Sequence, residues 1–170
     1  MLRKAKESHL PEILDIYNDA IMNTTAVYTY KPQTLENRMR WFHDKQENGF
    51  PVIVLEDGGQ AMGFATYGPF RPWPAYKYTA EHSVYVHKDY RRRGAGKLLI
   101  QEIIKLAEAN GYATLIAGVD AANEGSIVLH KKLGFTHSGT IRKAGYKFGN
   151  WLDLAFYQLD LDGPQQPTED

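Results

Sequence analysis

Cysteine is the most informative absence, because the 170-residue chain contains none. Disulfide bonds, thiolate metal ligands and a covalent intermediate on a cysteine side chain are therefore excluded. The absence is also compatible with a reducing cytoplasm, which is the location we expect. The histidines are scattered along the sequence, and His82 and His87 fall on opposite faces of one predicted strand, so we expect no metal site.

An excess of charge and a long apolar run are also missing. The 20 basic and 20 acidic side chains give a formal net charge of zero, whereas nucleic-acid binders usually carry a basic excess. No apolar run approaches the ~20 residues of a spanning helix, and residues 1–10 lack the apolar core of a signal peptide. We therefore expect neither a nucleic-acid nor a membrane partner.

What is present is an ordinary globular composition, with 43% hydrophobic and 24% charged residues. We predict one α/β (α+β) domain over residues 1–162 and a flexible tail over residues 163–170, which are rich in Pro, Gly and Gln. Hydrophobic periodicity and turn residues predict strands at 2–5, 51–56, 61–67, 79–87, 114–119, 135–141 and 147–161. They predict helices from the N-cap Ser8 to Ile21, from Thr34 past Phe42, over 94–110 and over 123–133.

Finer expectations concern faces and turns. In the second helix we expect Leu35, Met39 and Phe42 to share one face. The last two strands should be joined by a turn at residues 144–145. Five large apolar residues of the last strand are expected to fill the core: Trp151, Leu152, Leu154, Phe156 and Leu159.

The densest chemical signal is a basic, glycine-containing turn between a strand and a helix. Its residues are Arg91, Arg92, Arg93, Gly94, Ala95, Gly96 and Lys97. The first amides of a helix lack internal partners and lie at the positive end of its dipole, so they favour an anion. Glycines let a phosphate approach these amides, and the arginines add charge-assisted hydrogen bonds. The pattern favours a diphosphate site over the alternative of a solvated basic turn.

Other phosphate motifs fit this turn less well. The dinucleotide motif needs a third glycine where Leu99 stands, and the Walker motif needs Ser or Thr where Leu98 stands. A serine nucleophile in a Gly-x-Ser-x-Gly elbow is absent too.

At this point the sequence resembles the GNAT superfamily of N-acetyltransferases. Arg91, Gly94 and Gly96 match its acetyl-CoA motif, and Asn123 with residues 132–135 matches its second signature. Within the superfamily the chain is similar to the phosphinothricin/methionine sulfoximine acetyltransferase branch, from about Arg3 to Leu161. The most specific segments are residues 16–20, 81–86 and 147–154.

The resemblance implies a GNAT-like fold and a binding mode. The fold has a mixed, mostly antiparallel central sheet of about seven strands, splayed between strands 4 and 5, with about four flanking helices. Acetyl-CoA would enter the split as co-substrate, with its diphosphate on the amides of Arg92 to Lys97. Its pantetheine arm would pair with Val84, Tyr85 and Val86, and Asn123 and Ser126 would hold it from the other side. Members of the branch are typically homodimers.

Two side chains are candidates for proton transfer. An amine attacks a thioester only as the free base, and Glu81 lies beside the strand expected to hold the pantetheine. Many superfamily members use a tyrosine to protonate the departing thiolate, but the corresponding residue here is His130. His130 either donates that proton or only packs and orients the cofactor, and the sequence leaves both roles open.

The same resemblance assigns the substrate site to Arg71, Pro72, Trp73, Glu81, His82 and Ser83. An arginine can grip a carboxylate or phosphinate in a bidentate manner, and Trp73, Phe70 and Tyr30 can form an apolar wall. Without the resemblance, the sequence would favour a different interpretation, in which Arg71 is an exposed loop residue and Trp73 packs under the loop. The expected activity is acetylation of a small amino-acid-like substrate by direct attack in a ternary complex. The alternatives are a peptide N-terminal acetyltransferase and a non-catalytic acyl-CoA sensor.

Overall fold

The computed structural model describes residues 1–170, which form seven strands and four α-helices. The strands are β1 (Leu2–Lys4), β2 (Val52–Asp57), β3 (Gln60–Pro69), β4 (Thr79–Val86), β5 (Thr114–Asp120), β6 (Thr136–Lys147) and β7 (Asn150–Asp160). The helices are α1 (Leu10–Asn23), α2 (Leu35–Glu47), α3 (Ala95–Ala109) and α4 (Glu124–Lys132). Short 3-10 helices cover Glu7–His9, Pro74–Tyr76 and Lys88–Tyr90.

The strands form one mixed sheet in the order β1-β2-β3-β4-β5-β7-β6. The pairs β1–β2, β2–β3, β5–β7 and β6–β7 are antiparallel, whereas β4 and β5 are parallel. The parallel register runs from Thr79↔Thr114 to His82↔Ala117, and the strands then continue to Val86 and Asp120. The predicted fold class, a mostly antiparallel sheet of seven strands with four helices, is confirmed.

Contacts divide the chain into two compact units. The first unit comprises Met1–Thr66 and Ser83–Ile100, and the second comprises Tyr67–His82 and Gln101–Asp170. The prediction of a single domain with a flexible tail stays a prediction. In the second unit the amide of Thr168 donates to the hydroxyl of Tyr78 at 2.9 Å.

The core of the first unit forms where α1 and α2 contact the inner face of β2 and β3. Its buried members are Leu10, Ile13, Ile16, Phe42, Val52, Val54, Ala61 and Phe64. The predicted helix is present as α1, but the predicted N-cap is wrong. Ser8 lies inside the 3-10 helix Glu7–His9, and His9 takes the N-cap position without a side-chain cap bond.

The second helix has its predicted start. Thr34 caps α2 by accepting a hydrogen bond from the amide of Asn37 at 3.2 Å. Leu35 and Met39 are exposed, whereas Arg38 is buried with Phe42. The guanidinium of Arg38 lies 4.0 Å from the ring centre of Tyr17, and a planar cation stacked on an aromatic face can be buried without a carboxylate.

The hairpin of β6 and β7 in the second unit corrects the predicted turn. Residues 144–145 lie inside β6, where the register shifts between Ile141 and Gly145 as in a bulge. The turn is instead at Phe148 and Gly149, whose φ angles of 52° and 76° suit a two-residue hairpin loop.

One core prediction for β7 is also wrong. Trp151 is 60% exposed, whereas its neighbour Leu152 is buried. Successive side chains of a strand point to opposite faces, so both could not enter one core. The ring of Trp151 instead contacts Tyr146 on the neighbouring strand, with centroids 5.2 Å apart.

Gly63 marks a close approach between β3 and β4 in the first unit. A Cβ atom added at Gly63 would lie 2.7 Å from the carbonyl oxygen of Tyr85 and 3.3 Å from the Cα atom of Val86. Both neighbours are main-chain atoms of β4, so the clash cannot be relieved by rotating a side chain. The absence of a side chain at Gly63 therefore sets the position of this part of β4.

We expect Gly63→Ala to lower the free energy of unfolding by about 1–3 kcal/mol, because overpacking forces the backbone to shift. Urea unfolding followed by circular dichroism measures the change. Gly139→Ala is the matched control, because a Cβ atom there meets nothing within 4 Å and Gly139 also lies in a strand. An equal decrease in the free energy of unfolding in the two variants would show that the close approach to Tyr85 does not cause the effect.

Candidate active site

The predicted anion-binding turn lies in the first unit and connects β4 to α3. After Val86 the chain forms the 3-10 helix Lys88–Tyr90, and α3 begins at Ala95. Arg92 and Gly94 have positive φ angles of 61° and 80°, a conformation that turns the backbone sharply before the helix. The strand, turn and helix order expected from the sequence is therefore present.

The start of α3 offers main-chain donors for an anion. The amide of Leu98 donates to the carbonyl of Gly94 at 3.2 Å, so the amides of Ala95, Gly96 and Lys97 precede the helical hydrogen-bond ladder. The space at Gly94 is open, because a Cβ atom there would meet nothing within 4 Å. With the positive end of the helix dipole at the same place, these residues fit a diphosphate.

The basic side chains of the turn differ in what they contact. Arg91 forms an ion pair with Asp19 of α1 at 3.1 Å and donates to the carbonyl of Val86 at 3.4 Å. The guanidinium of Arg93 lies 5.6 Å from the ring centre of Tyr90. Arg92 and Lys97 are exposed beside the helix start. Arg91 thus holds the turn against α1, while Arg92 and Lys97 contribute charge at the surface.

The part of β4 expected to bind pantetheine is half-buried. Val84, Tyr85 and Val86 all have intermediate exposure. The Tyr85 ring packs against Tyr17 and Phe64, with centroid distances of 5.4 and 5.1 Å. This aromatic packing fixes the position of the strand in the first unit.

A cavity of about 320 Å³ also lies in the first unit, but its lining differs from the turn. Its carboxylates come from Glu12, Asp15 and Asp89, and His87 and Tyr90 complete much of the wall. Acidic walls repel a diphosphate. The electrostatics therefore favour the helix start over this cavity as the phosphate site.

Glu81 lies in the second unit, where β4 pairs with β5. The side chain is half-buried, and a Cβ atom added at Gly118 of β5 would lie 3.1 Å from its Oε2 atom. Burial raises the pKa of Glu81 above its usual value, although the positive charge of Arg71 opposes the shift. A carboxylate with a raised pKa is a stronger base than an exposed one.

His82 follows Glu81 in β4 but is only 5% exposed. Its Nε2 atom lies 3.1 Å from Nε2 of His130, and both rings pack against Phe135. Burial, and to a smaller extent the neighbouring His130, lower the pKa of His82 to about 3. Burial also lowers the pKa of His130, so both rings are neutral at neutral pH.

The start of α4 is built around Asn123 and Ser126. Asn123 caps the helix as predicted, because its Oδ1 atom accepts a hydrogen bond from the amide of Ser126 at 3.1 Å. The carbonyl oxygen of Ser126 in turn lies 2.7 Å from Nδ1 of His130. The second unit thus brings Ser126, His130 and His82 together in one chain of contacts.

The loop between β3 and β4 is exposed. Arg71, Pro72 and Trp73 are all exposed, and Trp73 retains 62% of its accessible surface. The guanidinium of Arg71 lies 5.4 Å from the ring centre of Phe70, which packs against Phe156. In the first unit, Tyr30 is 67% exposed and Ser83 is half-buried.

Sequence reasoning missed three residues that position these groups. Asp19 pairs with Arg91, Gly63 admits the backbone of β4, and Gly118 leaves room for the Glu81 carboxylate. A glycine inside a strand signals a close approach of a neighbouring group, so Gly63 and Gly118 carried a readable signal. The contact between Asp19 and Arg91 joins positions far apart in the sequence, and no local sequence pattern indicates it.

No helix of the chain combines the length and the apolar character needed to cross a membrane.

Comparison with known sequences gives a consistent result. Residues 11–135 match the sequence profile of the acetyltransferase (GNAT) family. The L-methionine sulfoximine/L-methionine sulfone acetyltransferase of Pseudomonas aeruginosa is 45% identical over 162 residues, which cover 95% of this chain and 94% of that protein.

Three solved structures are also similar. An N-acetyltransferase from Staphylococcus aureus is 58% identical with a TM-score of 0.95, over 95% of this chain and 98% of that one. A ribosomal-protein-alanine N-acetyltransferase from Brucella melitensis is 45% identical with a TM-score of 0.93, over 95% and 99% of the two chains. A phosphinothricin acetyltransferase from Sinorhizobium meliloti, solved in complex with acetyl-CoA, is 35% identical with a TM-score of 0.95, over 99% and 93%.

The buried His82 predicts a pH dependence of stability. Its pKa falls from 6.5 in the unfolded chain to about 3 in the folded one, so below pH 6.5 the unfolded chain binds more protons. The contribution of His82 to the free energy of unfolding is therefore fully present above pH 6.5. It is lost on acidification, by up to about 1.4 kcal/mol per pH unit. Urea unfolding at pH 7, 6 and 5 measures the slope.

The slope should be shallower in His82→Gln, which removes the titrating ring. His137→Gln removes an exposed histidine of the same unit and is expected to keep the wild-type slope. An unchanged slope in His82→Gln would contradict the assignment.

Proposed function

The chain belongs to the acetyltransferase (GNAT) family, and we propose that it transfers the acetyl group of acetyl-CoA to the amino group of a small amino-acid-like substrate. The substrate class is that of methionine sulfoximine, methionine sulfone and phosphinothricin, the compounds for which its relatives are named. The resemblance seen in the sequence agrees with the matched family and with these relatives.

The half-burial and raised pKa of Glu81 are the main support for the proposal. An α-amino group is largely protonated near neutral pH and must lose a proton before it attacks a thioester. The half-buried carboxylate of Glu81, with its raised pKa, suits this task directly or through one water molecule. The positive charge of Arg71 opposes the effect of burial on this pKa.

Bound acetyl-CoA supplies the acetyl thioester. The amides of Ala95, Gly96 and Lys97 bind the diphosphate in this proposal, and Arg92, Arg93 and Lys97 add positive charge. Val84, Tyr85 and Val86 pair with the pantetheine arm through their main chain, while Asn123 and Ser126 hold it at the start of α4. Arg91 supports the turn through Asp19.

The acceptor amino acid is assigned to the exposed loop. Arg71 grips the acidic end of the substrate in a bidentate manner, and Trp73 covers its methylene groups. Pro72 between them stiffens the loop, since its φ angle is fixed by the ring. Ser83, two residues beyond Glu81 in β4, remains assigned to the substrate.

His130 is assigned an orienting role, one of the two that the sequence left open. Its Nδ1 atom contacts the Ser126 carbonyl at 2.7 Å, and its Nε2 atom contacts His82. With 2% of its surface exposed, the ring is enclosed by these partners. A direct proton donor to a departing thiolate would need a free N–H that reaches the cofactor.

A peptide N-terminus is the second candidate acceptor, and the similarity to the ribosomal-protein-alanine N-acetyltransferase favours it. A non-catalytic acyl-CoA sensor is less favoured, because it would have no use for a half-buried carboxylate with a raised pKa. The proposal also includes a homodimer in the cytoplasm, on the basis of the resemblance and of the absence of cysteine.

Release of the coenzyme A thiol tests the function. We expect release when the chain is mixed with acetyl-CoA and methionine sulfone, methionine sulfoximine or phosphinothricin, and none with N-acetyl-methionine sulfone, whose amine is blocked. The chain has no cysteine and adds no thiol background to the assay. Turnover of a peptide mixture but of no free amino acid would favour the second candidate, and no turnover at all would reject both.

We expect Glu81→Gln to lower kcat about 100-fold or more, because an amide cannot accept the proton. Calorimetric titration with coenzyme A should show an affinity within about twofold of wild type, since the phosphate site is made by other residues. Glu108→Gln, at an exposed carboxylate of α3, is the control and should retain activity. Full activity in Glu81→Gln would remove Glu81 from the mechanism.

A further inference from the structure

His82 belongs to a buried chain of hydrogen-bonding groups, and the proposed proton transfer does not use its ring. Its ring nitrogen Nε2 lies 3.1 Å from Nε2 of His130, and Nδ1 of His130 lies 2.7 Å from the carbonyl oxygen of Ser126. All three residues lie in the second unit, and both histidines are at least 95% buried, with exposures of 5% and 2%.

The direction of each hydrogen bond follows from chemistry. A carbonyl oxygen only accepts, so Nδ1 of His130 must carry the proton and donate it to Ser126. A neutral imidazole has a single N–H, which leaves Nε2 of His130 as an acceptor. The Nε2 atom of His82 must therefore carry a proton and donate to His130.

The remaining nitrogen of His82 agrees with this assignment. Nδ1 of His82 is buried and has no hydrogen-bond partner. In the assigned tautomer it is only an unshared lone pair. The opposite tautomer would bury an N–H donor without an acceptor and would also place two lone pairs opposite each other at 3.1 Å, so it is the less stable one.

We propose that His82 is a positioning residue, whose Nε2–H donates to His130 in the last turn of α4 and thereby holds this helix against β4. The contact of His130 with the Ser126 carbonyl extends the connection to the first turn of the helix. The inference rests on the proposed function, because that turn carries Asn123 and Ser126, while β4 carries Glu81. A single buried hydrogen bond thus connects the strand of the base to the helix assigned to the cofactor arm. The resemblance instead implied a contact between His82 and the substrate.

The two roles predict different kinetics. A positioning residue changes how well Glu81 and the α4 turn are aligned during the reaction, so its loss lowers kcat. A substrate contact made equally before and during the reaction changes KM for the amino acid and leaves kcat alone. The ratio of the two effects therefore separates the roles.

Two substitutions at His82 isolate the donor. In His82→Gln the side-chain amide reaches the position of Nε2 and keeps an N–H donor, whereas His82→Phe keeps a ring against Phe135 but has no donor. We expect His82→Gln to retain kcat within about threefold. In His82→Phe we expect kcat to fall about tenfold, the rate equivalent of one hydrogen bond, with KM for the amino acid within about twofold of wild type.

Equal kcat losses in the two variants, or an increase in KM without a change in kcat, would overturn the proposal. His137→Phe places the same change at an exposed histidine and should behave as wild type. Circular dichroism melting of each variant checks the fold.

Nitrogen-15 NMR of histidine-labelled wild-type protein tests the tautomers without any activity measurement. We expect the signals that disappear in His82→Gln to come from a neutral ring protonated at Nε2, and the signals of His130 to come from a neutral ring protonated at Nδ1. The reverse protonation would overturn the proposal even if His82→Phe fails to fold. If no amine is acetylated, the proposed function fails, while the NMR result still decides whether His82 donates to His130.

Discussion

The position of β4 is the constraint on which the candidate site depends, because this strand carries Glu81 and His82 and leads into the turn proposed to bind the diphosphate. In the first unit, Gly63 admits the β4 backbone, and a Cβ atom there would lie 2.7 Å from the Tyr85 carbonyl oxygen. In the second unit, parallel pairing with β5 and the contact between His82 and His130 hold the start of the strand. Each unit thus fixes its own part of β4 by main-chain proximity or by a buried polar contact.

Burial acts in opposite ways on the two titratable side chains that adjoin each other in β4. Burial disfavours the charged form of each group. It therefore lowers the pKa of His82, whose charged form is protonated, and raises the pKa of Glu81, whose charged form is deprotonated. Arg71 moderates the second effect from an exposed position, where solvent screens its charge. The result is a neutral, hydrogen-bonded histidine beside a carboxyl group that is more basic than an exposed one.

Local features of the fold were predictable, and long-range ones were not. The caps at Thr34 and Asn123 and the glycine turn before α3 follow from neighbouring residues, and the structure has them. The hairpin turn was placed at residues 144–145 because a glycine there resembles a turn signal, but the register of β6 and β7 places the turn at Phe148 and Gly149. The contact between His82 and His130 spans 48 residues and depends on the pairing of β4 with β5, so no local pattern predicts it.

The acyl donor is easier to infer than the acceptor, because different kinds of atoms would recognise them. The proposed diphosphate site consists mainly of main-chain amides at the start of α3, which any sequence with glycine at the turn can present. The proposed acceptor site consists of a few exposed side chains, including Arg71 and Trp73, so one substitution can change the preferred amine. Relatives of equal identity, 45% in both cases, are named for a methionine derivative and for a ribosomal-protein alanine, so overall identity alone does not determine the acceptor.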